Sequence, residues 1–393
     1  MNENTTIHNG LEGIIAAETS LSMVDGTAGE LVIAGFPVAE LAMNATFEET
    51  AHLLWYGELP DESELAAFRA DLARRRELPP VAYELLRAAA AANADSMDAL
   101  RMAAGTISLR DSAADDEAAR NLLAAFPTIV AAYWRLRNDR APIALRSDLG
   151  HAANFLYMLS GEVPSNERVR GLETYLNTVV DHGLNASTFT ARVIASTNSD
   201  LVSAITGAIG ALKGPLHGGA PGPALDMVFE IGTAARAEEV LRKKIESGEK
   251  LMGFGHRVYK VRDPRADVLA VAAERMFTRG GDMALYELAR AVEAVALRLL
   301  EEYKPGRKLQ TNVEFYTALL LHGLDLEVPL FTPTFAISRV AGWIAHCFEQ
   351  RRANRIIRPQ SVYRGARERR WKESILTASE ASLSGSSAAP RIA

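Results

Sequence analysis

The sequence predicts a mostly α-helical fold, and three observations carry that reading. Apolar residues recur at helical spacing in most segments of the 393-residue chain, with capping residues ahead of them. Strand signals are confined to the amino end. Strands nowhere alternate with helices in the pattern that a parallel sheet requires.

Each element has its own signal. After a polar start, Leu21 to Val24 and Leu31 to Ala34 are short β-like runs around Asp25-Gly26 and Gly29, which predicts a small hairpin. Thr46 with Glu49 has the spacing of a capping box ahead of "AHLLWYG". Asp61 with Glu64 repeats it ahead of Leu65, Phe68 and Leu72. Pro79-Pro80 closes that helix and opens the next, "VAYELLRAAAAANAD", which is alanine-rich but periodic. Ser96 is the expected cap of "MDALRMAAGTISLR". The segment "DEAARNLLAAFPTIVAAYWRLRN" then holds a helical period until Pro142.

Further on, "SDLGHAANFLYMLSG" ends at Gly161, and His151 within it reads as a hydrogen-bonded packing histidine between apolar neighbours, not a ligand. "LETYLNTVV" is helical to Val180 and breaks at Asp181-His182-Gly183. Leu201, Ile205, Ala208, Ile209 and Leu212 mark a helix that stops at Gly214-Pro215. The charge-dense "RAEEVLRKKIESGEK" is a shift in composition, expected of an exposed helix on a smaller, more mobile domain. From Asp282 a long amphipathic helix places Leu288, Val292, Val295 and Leu299 on one face. The last stretch, 377–393, is small and polar and reads as a disordered tail.

Composition excludes several function classes. A net charge of −6 argues against a general affinity for nucleic acid or an anionic membrane. A locally basic segment, Arg351 to Lys372, has nine basic residues against Glu368 alone, which fits a solvated strap with some anion-binding arginines; RNA binding is the weaker reading. The single cysteine, Cys347, permits no intrachain disulfide and suggests a reducing compartment. No basic leader and no membrane-length apolar run is present, so a soluble cytoplasmic protein is expected. The third glycine of a dinucleotide fingerprint, a phosphate-loop GK[ST] and an HExxH are all missing.

The chemistry concentrates between Leu212 and Arg265. His217 in "GPLHGGA" and His256 in "GFGHRV" sit beside glycines on turns, where a side chain can meet a small molecule. With His182 at its own helix break, a carboxylate in "NVEFY" and arginines at 265, 339 and 358, the residues suit acid/base chemistry on a polyanionic carboxylate. A guanidinium grips a carboxylate bidentately and keeps its charge. Metal-assisted hydrolysis is the competing reading of a histidine cluster. It fits less well, because no two histidines stand at i, i+4 and no thiolate set exists.

"GPLHGGA" and "GFGHRVYKVRDPRAD" closely resemble the two signature segments of the citrate synthase family, which includes 2-methylcitrate synthases. The likeness runs from "GLEGIIAAETSLSMVDG" to "RIIRPQSVY". The resemblance implies condensation of acetyl-CoA with oxaloacetate and hydrolysis of the thioester to citrate and CoA. Glu314 would be the base, His217 the donor to the thioester oxygen and His256 the acid at the ketone. It further implies substrate carboxylates held by His182, Arg265, Arg339 and Arg358, with Lys260 on the CoA phosphates. Arg257 and Arg262 read as solvated surface charge. No metal or redox cofactor is implied; acetyl-CoA is a substrate.

The same resemblance implies a homodimer in which Arg358 reaches the neighbouring site. It also implies a large helical domain of residues 1–217 and 327–376 and a small one of 218–326, with the site in the cleft. One position departs from the family pattern: "NVDFY" is "NVEFY" here, so Glu314 replaces an aspartate. Two rivals follow, a 2-methylcitrate synthase using propionyl-CoA and a catalytically weakened protein that binds CoA or a dicarboxylate. Acyl-chain preference differs by roughly one methylene, about 1–3 kcal/mol of pocket energy, which leaves no mark in the sequence.

Overall fold

A computed structural model describes residues 7–110, 114–218, 221–256, 258–279 and 282–367. The chain divides into two units, Met1–Ile357 and Arg358–Ala393. The expected disordered tail, 377–393, lies outside the described residues, as does Arg257.

The first unit opens with β1 (Ser22–Asp25), β2 (Glu30–Ile33) and β3 (Phe36–Pro37), then continues as helices. These are α1 (Val38–Asn44), α2 (Phe47–Tyr56), α3 (Glu62–Arg75), α4 (Pro80–Ala91), α5 (Ser96–Gly105), α6 (Asp115–Arg137), α7 (His151–Ser160) and α8 (Asn166–Val179). There follow α9 (Ala186–Ala195), α10 (Leu201–Leu212), α11 (Pro221–Ile231), α12 (Ala237–Glu246), α13 (Pro264–Thr278), α14 (Met283–Tyr303), α15 (Val313–Gly323) and α16 (Phe331–Arg352). The mostly α class is thus borne out. Among the described residues the only sheet is antiparallel, in the order β1-β2-β3. Ser22 pairs with Ile33 and Asp25 with Glu30, and Ile33 also pairs with Phe36, so the expected hairpin gains a third short strand.

Local chemistry sets the helix starts. Both capping boxes form: Thr46 accepts from Glu49 N and Asp61 from Glu64 N, with each glutamate returning to its cap's N–H. The cap of α5 is Asp95, not Ser96; the Asp95 carboxylate accepts from Met97 N at 2.9 Å, and Ser96 becomes the first helical residue. A carboxylate at this position answers the free N–H groups and the positive helix end together.

The centre of the unit is α16, which is buried on nearly all sides and packs on α2, α6, α8, α9 and α10. A helix without a wet face reads weakly in periodicity, because no polar stripe marks it. Trp55 Nε1 donates to the Ala341 carbonyl at 2.9 Å within this core. Gly342 lets α16 close onto the break after α8: a Cβ there would collide with the Val180 carbonyl and crowd the Asp181 side chain. On α14, Leu288 and Val295 are only half-buried, and the buried face instead includes Val292, Leu299 and an acid, Glu293.

Candidate active site

Five segments converge on one cavity of about 380 Å³, lined among others by His182, His217, His256, Arg265, Glu314 and Arg339. That volume falls in the range of small-molecule sites.

The break after α8 is fixed from beneath. Asp181 is fully buried, accepts from Ser22 Oγ at 2.5 Å and lies 3.2 Å from His346 Nε2. Gly183, at φ +59°, donates its N–H to the same Ser22 hydroxyl at 2.8 Å. The hairpin and α16 together therefore hold the turn that presents His182. The His182 Nε2 stands 3.1 Å from the hydroxyl of Tyr259, a buried residue outside the expected set although it lies within "GFGHRVYK". Burial, with Arg265 and Arg339 nearby, drives the His182 pKa well below its usual value.

His217 follows a turn at the end of α10, where its N–H donates to the Gly214 carbonyl at 2.8 Å. Gly218 beside it has no room for a side chain: a Cβ would meet the Leu212 carbonyl at 2.5 Å and Thr332 at 2.9 Å. Ser187, fully buried, brings its hydroxyl to 2.8 Å and its backbone N–H to 3.4 Å from His217 Nε2, and Trp343 Nε1 donates to the Ser187 hydroxyl. An N–H aimed at Nε2 makes that nitrogen the acceptor, so the proton of neutral His217 resides on Nδ1. Burial and Arg339 lower the His217 pKa to about 4.

His256 has the opposite tautomer. Its Nδ1 accepts the backbone N–H groups of Val258 and Tyr259, both at 3.0 Å; these two bonds outweigh the single, longer approach of the Arg265 guanidinium to Nε2, so the proton of the neutral ring is assigned to Nε2. Burial and Arg265, whose Nη2 lies 3.4 Å from that nitrogen, lower its pKa to about 4. The loop owes its shape to Gly253 and Gly255, at φ +87° and +83°, and it pairs with the residues ahead of α15. Gly255 N donates to the Gln310 carbonyl at 2.7 Å and Asn312 N to the Gly253 carbonyl at 3.0 Å.

Glu314 stands in the first turn of α15, capped by Asn312, which accepts from Glu314 N at 3.0 Å. Among the described residues its carboxylate has no hydrogen-bond partner. Burial raises its pKa to about 7, against the opposing pull of Arg265. The cavity thus holds a carboxylate able to take a proton near neutrality, together with two neutral imidazoles able to give one.

Arg265 is buried and held by Asp263, which accepts from its Nε at 3.0 Å and its Nη2 at 2.8 Å, and from Val313 N at 3.2 Å. That carboxylate joins the arginine to the start of the Glu314 helix. Burial alone would raise the Asp263 pKa, but Arg265 outweighs it and the net direction is down. Arg339, 1 % exposed, donates Nε to the Val179 carbonyl at 2.7 Å and lies 4.6 Å from the Phe335 ring centre. Its burial brings the pKa down to about 10, so it stays charged.

Other expected residues are placed elsewhere. Lys260 is exposed and outside the cavity lining, with its N–H on the Gly26 carbonyl at 2.8 Å. Arg358 is exposed in the second unit. His151 is buried against Phe47 as a packing histidine, but its Nε2 has no hydrogen-bond partner among the described residues, so the expected hydrogen bond is not made. Arg262 is not solvated surface charge: it is half-buried and paired with Asp267 at 2.5 Å, five residues on, and with Glu293 at 2.7 Å, which is too distant in sequence for local charge pattern to reveal. Among the described residues no helix is long and apolar enough to cross a membrane.

The sequence matches the family described as "Citrate synthase, C-terminal domain" over residues 10–360. It is 40% identical over 374 residues to the citrate synthase of Haloferax volcanii, covering 92% of this chain and 97% of that one. It is 41% identical over 366 residues to the 2-methylcitrate synthase of Shewanella oneidensis, covering 92% and 96%. The fold superposes on the crystal structure of citrate synthase from Pyrobaculum aerophilum with a TM-score of 0.84 at 39% identity, covering 93% and 94%. The citrate synthase of Thermoplasma acidophilum, solved as a ternary complex with carboxymethyl coenzyme A and oxaloacetate, gives a TM-score of 0.83 at 29% identity, covering 93% and 98%. With likeness of this extent in both sequence and fold, the chain belongs to the citrate synthase family and is an enzyme of citrate synthase-type condensation.

Proposed function

We propose that the chain condenses acetyl-CoA with oxaloacetate and hydrolyses the resulting thioester to citrate and free CoA. The observation that carries this reading is the meeting, in one cavity, of two neutral histidines of opposite tautomer with a carboxylate that has no hydrogen-bond partner among the described residues and whose burial raises its pKa to about 7. Glu314 takes a proton from the acetyl methyl while Nδ1–H of His217 donates to the thioester oxygen, so charge does not build up on the enolate. The enol carbon attacks the oxaloacetate ketone, and Nε2–H of His256 protonates the ketone oxygen as the carbon–carbon bond forms. Water then cleaves the thioester. His182, Arg265 and Arg339 hold the carboxylates of oxaloacetate, and Lys260 meets the CoA phosphates.

Closure of residues 218–326 over the rest of the site, and a homodimer in which Arg358 serves the neighbouring site, belong to the same proposal. Closure keeps water from the enol until condensation is complete. Glu314 adds one methylene to the reach of the family's aspartate, about 1.5 Å when extended, which the side chain offsets by folding back or by a shifted acyl group. The second reading, 2-methylcitrate synthesis from propionyl-CoA, is favoured by relatives of that name at 41% identity, level with the citrate synthases. Release of CoA thiol from acetyl-CoA and from propionyl-CoA, each with and without oxaloacetate, separates the two. Oxaloacetate-dependent release from neither would leave a binding protein.

A further inference from the structure

A second carboxylate outside the cavity ties the two halves of the site together. Glu293, on α14, is 4 % exposed and does not line the cavity. One of its oxygens accepts from Arg262 Nη1 at 2.7 Å and from Thr311 Oγ1 at 2.7 Å. The other accepts from Tyr316 OH at 2.5 Å and from Arg290 Nη1 at 3.2 Å. A carboxylate offers about four lone-pair sites, so these four donors fill it. Burial alone would raise its pKa, yet the bonds from Tyr316, Thr311 and Arg262 outweigh that and the net direction is down, so it stays charged.

The donors come from places that matter to the reaction. Arg262 lies in the chain between His256 and Arg265, while Thr311 and Tyr316 flank Glu314. Burying a charge is costly, and an apolar side chain of the same volume often serves stability as well or better. Stability alone is therefore a weak account of this carboxylate. Its position gives another: beside the backbone bonds that pair the two segments ahead of α15, it joins the loop of His256 and Arg265 to the helix of Glu314 through Arg262 and Tyr316. Asp263 makes a parallel tie, from Arg265 to Val313 N and by its own N–H to the Thr311 carbonyl at 3.4 Å, but its carboxylate takes neither the Thr311 hydroxyl nor Tyr316.

We propose that Glu293 is a positioning residue that clamps the His256–Arg265 loop to the Glu314 helix in register for proton transfer. The inference rests on the proposed roles of His256 and Glu314. Glutamine in its place turns one oxygen into an NH2 group, which repels an arginine and opens one side of the clamp. Displacement on the order of 1 Å in such a site costs about a hundredfold in rate.

The test compares Glu293→Gln, Arg262→Met and the double variant in the full-length protein, with kcat and KM measured for both substrates and amide hydrogen exchange followed by mass spectrometry. Each single change is expected to lower kcat about tenfold to a hundredfold while KM for acyl-CoA stays within about threefold. The double variant is expected to be no worse than the poorer single, since both open the same clamp. Exchange should quicken at 258–263 and 311–316 and nowhere else. A folded Glu293→Gln with kcat within about twofold of the parent overturns the proposal, as do losses that multiply in the double variant. If Glu293→Gln does not fold, Tyr316→Phe takes its place in the cycle under the same criteria. A parent inert toward both acetyl-CoA and propionyl-CoA defeats the proposed reaction instead, and exchange then decides alone: no change at those two stretches defeats the clamp.

Discussion

Removing the charge of Glu314 tests the proposed chemistry at its most exposed point. Burial moves this carboxyl from an ordinary 4.5 to about 7, while His217 and His256 stay neutral down to about 4. The acid limb of kcat/KM for acyl-CoA therefore belongs to Glu314, and activity falls with falling pH because the base becomes protonated. With a pKa of about 7, the ionised fraction is roughly nine-tenths at pH 8, half at pH 7 and one-tenth at pH 6. The rate should drop about tenfold across those two pH units. Glu314→Gln keeps the shape and removes the base, so turnover should fall by about two to four orders of magnitude. Glu314→Asp should remain active, with the reach that the family pattern has. The assay is loss of thioester absorbance, which avoids the pH dependence of thiol reagents, with exchange of the acetyl protons as an independent measure of deprotonation. An acid limb near 4.5 in the parent would refute the burial argument. Parent-like turnover in Glu314→Gln would refute the assignment itself.

Alanine at His217 or at His256 should each cost about two to four orders of magnitude in turnover with the fold intact, checked by steady-state rates beside circular dichroism. Near-normal turnover in either variant would remove that histidine from the mechanism. Mixing inactive Arg358→Ala with inactive His256→Ala under subunit exchange should restore part of the activity, because some heterodimers regain one intact site. No recovery despite proven heterodimers would count against Arg358 acting across an interface. His151 should contribute to acid lability: burial lowers its pKa from 6.5 to about 3, so the unfolded chain takes up the proton first. Its share of stability is whole above pH 6.5 and is lost as pH falls toward 3, at about 1.4 kcal/mol per pH unit. Denaturant midpoints for His151→Phe should accordingly slope less between pH 6.5 and 4 than those of the parent.

What the sequence determined by itself was local. Thr46 with Glu49 and Asp61 with Glu64 cap helices through atoms three residues apart, so their spacing was sufficient evidence. The turns of His182, His217 and His256 were legible because glycine marks backbone that other residues adopt at a cost, and the family wording then joined them to Arg265, Arg339 and Glu314. The tertiary structure decided what depends on atoms distant in the chain. Asp95 rather than Ser96 caps α5, a choice between neighbours made by geometry. Arg262, apparently surface charge, meets Glu293 across 31 positions, and Tyr259 meets His182 across 77. The raised pKa of Glu314 and the lowered ones of the histidines also arise only on folding, because burial in a common cavity, and not residue type, sets which form of each group is favoured.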